Sequence, residues 1–349
     1  MMRKYYLDNI RTIIILLLFP IHTFMIWNDF GIKYYIWGGN SRIISSIIVF
    51  FNPWIMPVLF LIAGMSMRYS LEKRSKKEYV KERCNKLLLP IISGTLLLNP
   101  FLTFISRKYF LGYDGGIIEN FKYFFTHFTD LTGYDGAFTV GHLWFIIFLF
   151  IISIMSLLLI KYFPYKKISN KLKRMNLLMI IFFFIPIYIF YYIGHFGGKS
   201  IGQSFILFLL GYYLFDDDFI EKINKYKNII IPLFLISQMT LIILYFHFSY
   251  YGDLLVSFVG WLGTLSCIII GHMFLNKTNK VAEYFKKASF SIYMLHHTIL
   301  VIVGYYVLMY FHNIFLQLLI ILFGSFLFTI ISYEIIRKIP YLRKLIGMK

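Results

Sequence analysis

The stretch "IRTIIILLLFPIHTF" (residues 10–24) decides how the chain is to be read. Ile13 to Phe19 are seven consecutive apolar residues, the signature of a helix embedded in a bilayer. Yet a cation, Arg11, stands just before the run, and Pro20 and His22 close it. A span that carries a guanidinium at its mouth and an imidazole near its middle needs a reason for both.

The rest of the chain supplies the setting. Its 349 residues are 59% hydrophobic and 15% charged, with a mean hydropathy of +0.71, and apolar runs near twenty residues recur along it. A soluble domain does not have this composition. The expected fold is all-α: a polytopic integral membrane bundle of about ten transmembrane helices, both termini cytoplasmic. The spans fall at roughly 12–30, 43–67, 87–105, 141–161, 176–193, 201–215, 229–247, 254–275, 288–311 and 313–336. The expectation is one transmembrane domain over 1–349, with no appended soluble domain. The first run lacks a small-residue cleavage site and is interrupted by Pro20 and His22, so it does not read as a signal peptide.

The net charge of +19 invites a nucleic-acid partner. Its distribution argues against one. On alternating sides of these spans, one side receives only Lys33, Arg42, Arg107, Lys108, Lys122 and Lys199 of the 35 Lys and Arg residues. The asymmetry is that of the positive-inside rule, with added attraction for anionic membrane lipid. Of the two cysteines, Cys84 falls in a cytoplasmic loop and Cys267 in a span. They suggest neither a disulfide framework nor a zinc site.

Arg11 and His22 are eleven residues apart, three helical turns plus about 20°, and therefore share a stripe. Asp29, eighteen residues from Arg11, falls on it too. His22 stands roughly 16 Å beyond Arg11, close to the middle of a ~30 Å hydrocarbon core. An Arg at helix centre costs about 2.5–3.5 kcal/mol, against ~0.3–0.6 returned by each Leu or Ile. The stripe is thus expected to line a protein interior or a wet cavity, with His22 as a functional candidate. A packed histidine and a snorkelling interfacial Arg11 are the plainer alternatives. Asp29 lies about 10 Å further along the axis, too far to orient His22 on a regular helix.

One connection is long, 106–140, and it holds "GYDGG" (112–116) and "GYDGA" (133–137). Asp-Gly pairs form turns. A sugar-facing surface, with tyrosines stacked on pyranose rings and Asp114 and Asp135 accepting hydroxyls, is the sharper alternative. Asn52, Pro53, Trp54 and Pro57 are expected to break the second span near mid-membrane and to line a cavity. His142, beside Trp144 at the outer end of the fourth span, suits acceptor binding. His296 and His297 diverge by about 100° on a helix, which argues against their sharing a metal, and Tyr293 and His297, four apart, could pair. His127, His195, His247, His272 and His312 have no such context.

Several segments in order resemble a known family, the membrane acyltransferases of the acyltransferase 3 class. "LDNIRTIIILLLFPIH" (7–22) is similar to its first-helix pattern of an Arg and a His separated by ten residues. "FLIAGMSMRYS" (60–70), "KERCNKLLLP" (81–90), "GHLWFIIFLF" (141–150) and "ASFSIYMLHHTI" (288–299) resemble its later elements, and "YEIIRKIPYLRKLIG" (333–347) is similar to its glucan-modifying subgroup. One departure is Lys86, where the family's RxxR pattern has its second Arg and where Arg83 holds the first. Lys is a point charge without a bidentate fork.

The resemblance implies an O-acyltransferase that moves an acyl group, acetyl or succinyl, from cytoplasmic acyl-CoA to a hydroxyl of an extracytoplasmic glycan or lipid-linked sugar. Acyl-CoA, acetyl-CoA first, is then a co-substrate, with no bound cofactor and no metal. His22 would be general base or acyl relay and Arg11 would help hold the donor. Arg68, Arg83 and Lys86 would meet donor phosphates; His142, Trp144, Asp114 and Asp135 would meet the acceptor; Asn52, Tyr293 and His296 would complete the pocket. The protein is expected in the plasma (inner) membrane, its oligomeric state open between monomer and homodimer. A secondary transporter or exporter of a lipid-linked or anionic solute is the alternative, although no inverted repeat is evident. A purely structural scaffold leaves Arg11 and His22 unexplained.

Overall fold

The computed structural model describes residues 4–31, 34–172 and 174–348; Lys33 of the sparse-side cations lies outside them. Almost all regular structure is helical. In chain order it comprises α1 (Tyr5–Phe24), α2 (Arg42–Leu71), α3 (Lys76–Arg83), a π-helical turn (Cys84–Leu88), α4 (Leu89–Leu97), α5 (Asn99–Leu111) and α6 (Ile117–Thr126). A 3-10 turn (Gly141–Leu143) leads into α7 (Trp144–Tyr162), followed by α8 (Tyr165–Leu172), α9 (Leu177–Phe182), α10 (Phe184–Tyr191) and α11 (Ile201–Tyr213). Then come α12 (Asp217–Lys225), α13 (Lys227–Phe248), α14 (Asp253–Phe274), α15 (Lys280–Tyr310), α16 (Ile314–Ile336) and α17 (Pro340–Leu345). The two strands, β1 (His195–Phe196) and β2 (Lys199–Ser200), form one antiparallel hairpin before α11.

Among the described residues, eight helices are long and apolar enough to cross a membrane. The segment expected at 176–193 belongs to a pair of helical pieces, Tyr165–Leu172 and Leu177–Tyr191, bent by 116°. The one expected at 201–215 is the 13-residue α11. At 1.5 Å per residue, α11 is about 20 Å long, short of a ~30 Å core.

The chain divides into two compact units, each assembled from three separate stretches: 1–14, 49–83 and 148–283 in the first, 15–48, 84–147 and 284–349 in the second. In the first, α2 and α11 meet backbone to backbone. A methyl group on Gly64 would overlap the carbonyl oxygen of Phe208, and one on Gly211 would overlap that of Leu61. Small residues admit this approach, where dispersion rather than water exclusion holds membrane helices together.

The expected break in the second span does not occur: α2 runs for 30 residues through Pro53 and Pro57. Each proline removes the N–H that would serve the carbonyl four residues earlier, and one of the two orphaned carbonyls, that of Val49, finds a donor outside the helix. The Gln238 amide, fully buried, donates to the Val49 carbonyl at 3.2 Å, while the glycine backbone at Gly260 lies against the carbonyl of Pro53. Asn52 is exposed and donates to the Tyr251 hydroxyl at 3.3 Å. We expect Gln238→Met, which keeps volume but removes the donor, to cost about 1 kcal/mol. The loss should shrink in a Pro53→Ala background, where a helical N–H serves Val49. Thermal unfolding in detergent reads both, and equal losses in the two backgrounds would dissociate Gln238 from that carbonyl.

In the second unit, Ile26, Trp27, Tyr34, Tyr35 and Ile36 pack with Leu102, Leu300, Val301 and Ile321 into a buried core. At its end of the chain, α17 lies against α4, and Ser291 donates to the Ile346 carbonyl at 3.2 Å. The second Asp-Gly pair in the long connection is a turn, whereas Asp114 and Gly115 lie in irregular backbone. Asp135 accepts the N–H of Ala137 at 3.0 Å, and Gly136 adopts a φ of 92°, a conformation that favours glycine.

Candidate functional site: a cluster of four imidazoles

The second unit gathers four histidines from three parts of the sequence. α1 brings His22, the 3-10 turn before α7 brings His142, and α15 brings His296 and His297 on adjacent positions. The His22 ring centroid lies 5.3 Å from that of His296 and 4.8 Å from that of His297. The His142 ring lies 5.2 Å and 4.9 Å from the same two. The roughly 100° divergence of neighbours on α15 makes this arrangement: His296 and His297 point to different sides, and His22 and His142 each touch both. Among the described residues, no three His, Cys, Asp or Glu side chains are placed to hold a metal ion.

Backbone carbonyls set the tautomers of two of these rings. His142 Nε2 lies 3.2 Å from the Met294 carbonyl and His296 Nδ1 lies 2.8 Å from that of Tyr293. A carbonyl accepts only, so in the neutral ring each of those nitrogens carries the proton and the other carries the lone pair. His142 Nδ1 and His296 Nε2 are buried and have no protein donor among the described residues. Such atoms suit a hydroxyl or N–H brought by a ligand. His142, His296 and His297 are buried, whereas His22 is partly exposed.

His22 and His297 share a partner. The Tyr34 hydroxyl lies 3.1 Å from His22 Nδ1 and 2.6 Å from His297 Nε2. The expected Tyr293–His297 pair is not formed; the Tyr293 hydroxyl donates to the His142 carbonyl instead. Asp29 does not orient His22. It pairs with Arg42 at 3.2 Å, and it does not continue the expected stripe, because α1 ends at Phe24. Tyr34 had no signal in the sequence: it belongs to an irregular connection whose course no periodicity gives away.

The first unit contains a cavity of about 580 Å³ at the Arg11 end of α1, lined by residues including Lys4, Asp8, Ser66, Lys73, Arg74 and Arg83. Arg11 itself donates to Ser66 Oγ at 3.0 Å and pairs with Asp8 at 3.6 Å, so it is held by two residues of the cavity wall. Arg83 stacks its guanidinium over Tyr79 at 4.7 Å. Arg68 does not line the cavity. It is buried and donates to the hydroxyls of Tyr69 and Tyr165 at 2.8 Å and 3.2 Å and to the carbonyls of Phe215 and Tyr212 at 3.1 Å and 3.5 Å. Lys86 lies on the π-helical turn of the second unit.

Of the residues expected to meet an acceptor, His142 joins the imidazole cluster and the other three stand apart in the chain. Asp114 is exposed on the connection between α5 and α6, Asp135 stands in its turn, and Trp144 opens α7. The two tyrosines beside the Asp-Gly pairs face protein. Tyr113 and Tyr123 sandwich the Arg107 guanidinium at 3.9 Å and 4.0 Å, and Tyr134 packs on Tyr35 at 4.9 Å.

Comparison with known proteins places this arrangement. A family model described as an acyltransferase domain, acyltransferase 3, matches residues 4–336, and the chain belongs to that family of multi-pass membrane acyltransferases. Similar curated proteins include the glucans biosynthesis protein C of Salmonella gallinarum and its namesakes from Salmonella paratyphi B and Salmonella heidelberg. Each is 23% identical over 99% of this chain and 95% of its own length. No solved structure matches the chain.

Proposed function

We propose that the protein carries an acyl group, acetyl or succinyl, from a cytoplasmic acyl-CoA thioester to a hydroxyl of an extracytoplasmic glycan, working in the plasma (inner) membrane with both termini in the cytoplasm. The observation that carries this reading is the partly exposed His22 among three buried imidazoles, on the same helix as Arg11. A neutral imidazole is the side chain best suited to take a hydroxyl proton near pH 7. The buried lone pairs on His142 and His296 suit an acceptor rich in O–H donors. The names of the similar Salmonella proteins favour a glucan as that acceptor.

At the other end of α1, the cavity fits the phosphates of a CoA-like donor. Lys4, Lys73, Arg74 and Arg83 outnumber the carboxylates of Asp8 and Glu82 on its wall, and guanidinium–phosphate bonds are strong and directional. Arg11, held by two wall residues, supports the same donor.

Protein reconstituted in liposomes is expected to consume acetyl-CoA or succinyl-CoA and to release free CoA when a glucan is supplied to the opposite face. In that assay Arg83→Gln should raise the KM for acyl-CoA about tenfold, the worth of one charge-assisted hydrogen bond, with kcat largely kept. Movement of an intact solute with no CoA released would overturn this reading in favour of a transporter, and an unchanged KM would remove Arg83 from the donor site.

A further inference from the structure

Tyr34 stands on the connection between α1 and α2, is buried, and reaches two imidazoles with one oxygen. A phenol has a single proton to donate, so at most one of these bonds is a donation from Tyr34. The lengths distinguish the two. The 2.6 Å separation from His297 Nε2 suits a short O–H donor, whereas 3.1 Å from His22 Nδ1 suits an N–H reaching an oxygen. Burial, reinforced by the neighbouring Tyr134 and Tyr35 hydroxyls, pushes the Tyr34 phenol well above its ordinary range, so it keeps its proton at neutral pH. Its ring is gripped on two sides, by Tyr35 at 5.5 Å and by His297 at 5.6 Å.

We propose that Tyr34 and His297 are positioning residues for His22: the Tyr34 oxygen accepts the His22 Nδ1–H, its own O–H donates to His297 Nε2, and the lone pair of His22 is thereby fixed on Nε2. This rests on the reading of His22 as the base. During transfer, the acceptor oxygen bonds to the thioester carbonyl carbon as its proton passes to His22 Nε2. The carbon–sulfur bond then breaks and the leaving thiolate takes that proton, giving ester and free thiol. Throughout, the Nδ1–H stays on the ring and points its developing positive charge at a phenolic oxygen polarised by His297. Holding a catalytic imidazole in the right tautomer from its far nitrogen is the role played by the carboxylate of a serine protease triad. Here a neutral phenol, itself oriented by a second imidazole, occupies that position.

The test is a set of variants purified in detergent and assayed with acyl-CoA and acceptor. Tyr34→Phe keeps the ring and its packing but removes the oxygen; its kcat should fall about 10-fold to 100-fold with the KM for acyl-CoA unchanged. His297→Leu should fall similarly, while His297→Gln, whose amide oxygen can still accept from Tyr34, should retain most of the activity. The Tyr34→Phe/His297→Leu double variant should be no worse than the weaker single, because both break one chain. A Tyr34→Phe enzyme with full kcat, independent multiplication of the two losses, or His297→Gln as impaired as His297→Leu would each overturn the proposal. Should Tyr34→Phe fail to fold, the contrast between Gln and Leu at 297 decides. Activity surviving in His22→Ala would instead overturn the underlying reading of the base, whereas an inactive His22→Ala beside a fully active Tyr34→Phe would sink only the positioning role.

Discussion

Acyl transfer is expected to fall by about 10²-fold to 10⁴-fold when His22 is replaced by alanine, with the protein still inserted and folded. The magnitude follows from the inability of the other three histidines to stand in. His142 and His296 have one nitrogen committed to a backbone carbonyl, His297 is bonded to Tyr34, and all three are buried. His22 is the partly exposed member, the one a reactant can approach. Loss of its ring contacts to His296 and His297 should cost stability by only about 1–2 kcal/mol, so size-exclusion profile and thermal unfolding separate a dead enzyme from an unfolded one. A folded His22→Ala protein that retains half its transfer rate would remove this residue from the chemistry.

The largest expected effect on stability is at Gly64. Adding one methyl group puts carbon against the carbonyl oxygen of Phe208 and close to the backbone nitrogen of Tyr212. Backbone cannot swing aside as a side chain can, so α2 and α11 must separate. Overpacking typically costs 1–3 kcal/mol, and the rigid obstacle here sets Gly64→Ala at about 3 kcal/mol or more. Gly211→Ala meets the Leu61 carbonyl from the other helix and should cost a similar amount. One separation of the two helices relieves both clashes, so the double variant should fall well short of the sum. Detergent unfolding midpoints and yield of monodisperse protein measure this, and an unshifted midpoint for Gly64→Ala would mean that the two backbones are not in contact.

Much of this was legible in the residues. Runs of apolar side chains announce spans because a bilayer demands internally bonded backbone over a fixed length, and eight such helices are present among the described residues. The spacing that put Arg11 and His22 on one stripe is a property of any helix, and α1 is unbroken through Pro20. Local rules failed where the answer lay far away in sequence. Pro53 and Pro57 predict a broken helix only until Gln238, 189 positions from Val49, supplies the missing donor. Arg68 resembles a free cation in a basic loop until its carbonyl partners from 212 and 215 are known. The convergence of His22, His142, His296 and His297 is likewise tertiary, joining segments that no period connects. Tyr34 is the extreme case, because its importance comes wholly from what stands on either side of it.

The setting of Arg68 also bears on how the chain is made. Its acceptors beyond Tyr69 lie 97 to 147 positions later, so the guanidinium leaves the ribosome long before the groups that will enclose it exist. Until residue 215 has been synthesised, the Arg68 end of the second span must keep this charge hydrated at the lipid headgroups. The closing of that end is therefore a late event in biogenesis, and nascent chains halted short of Tyr212 should leave it open to an added protease.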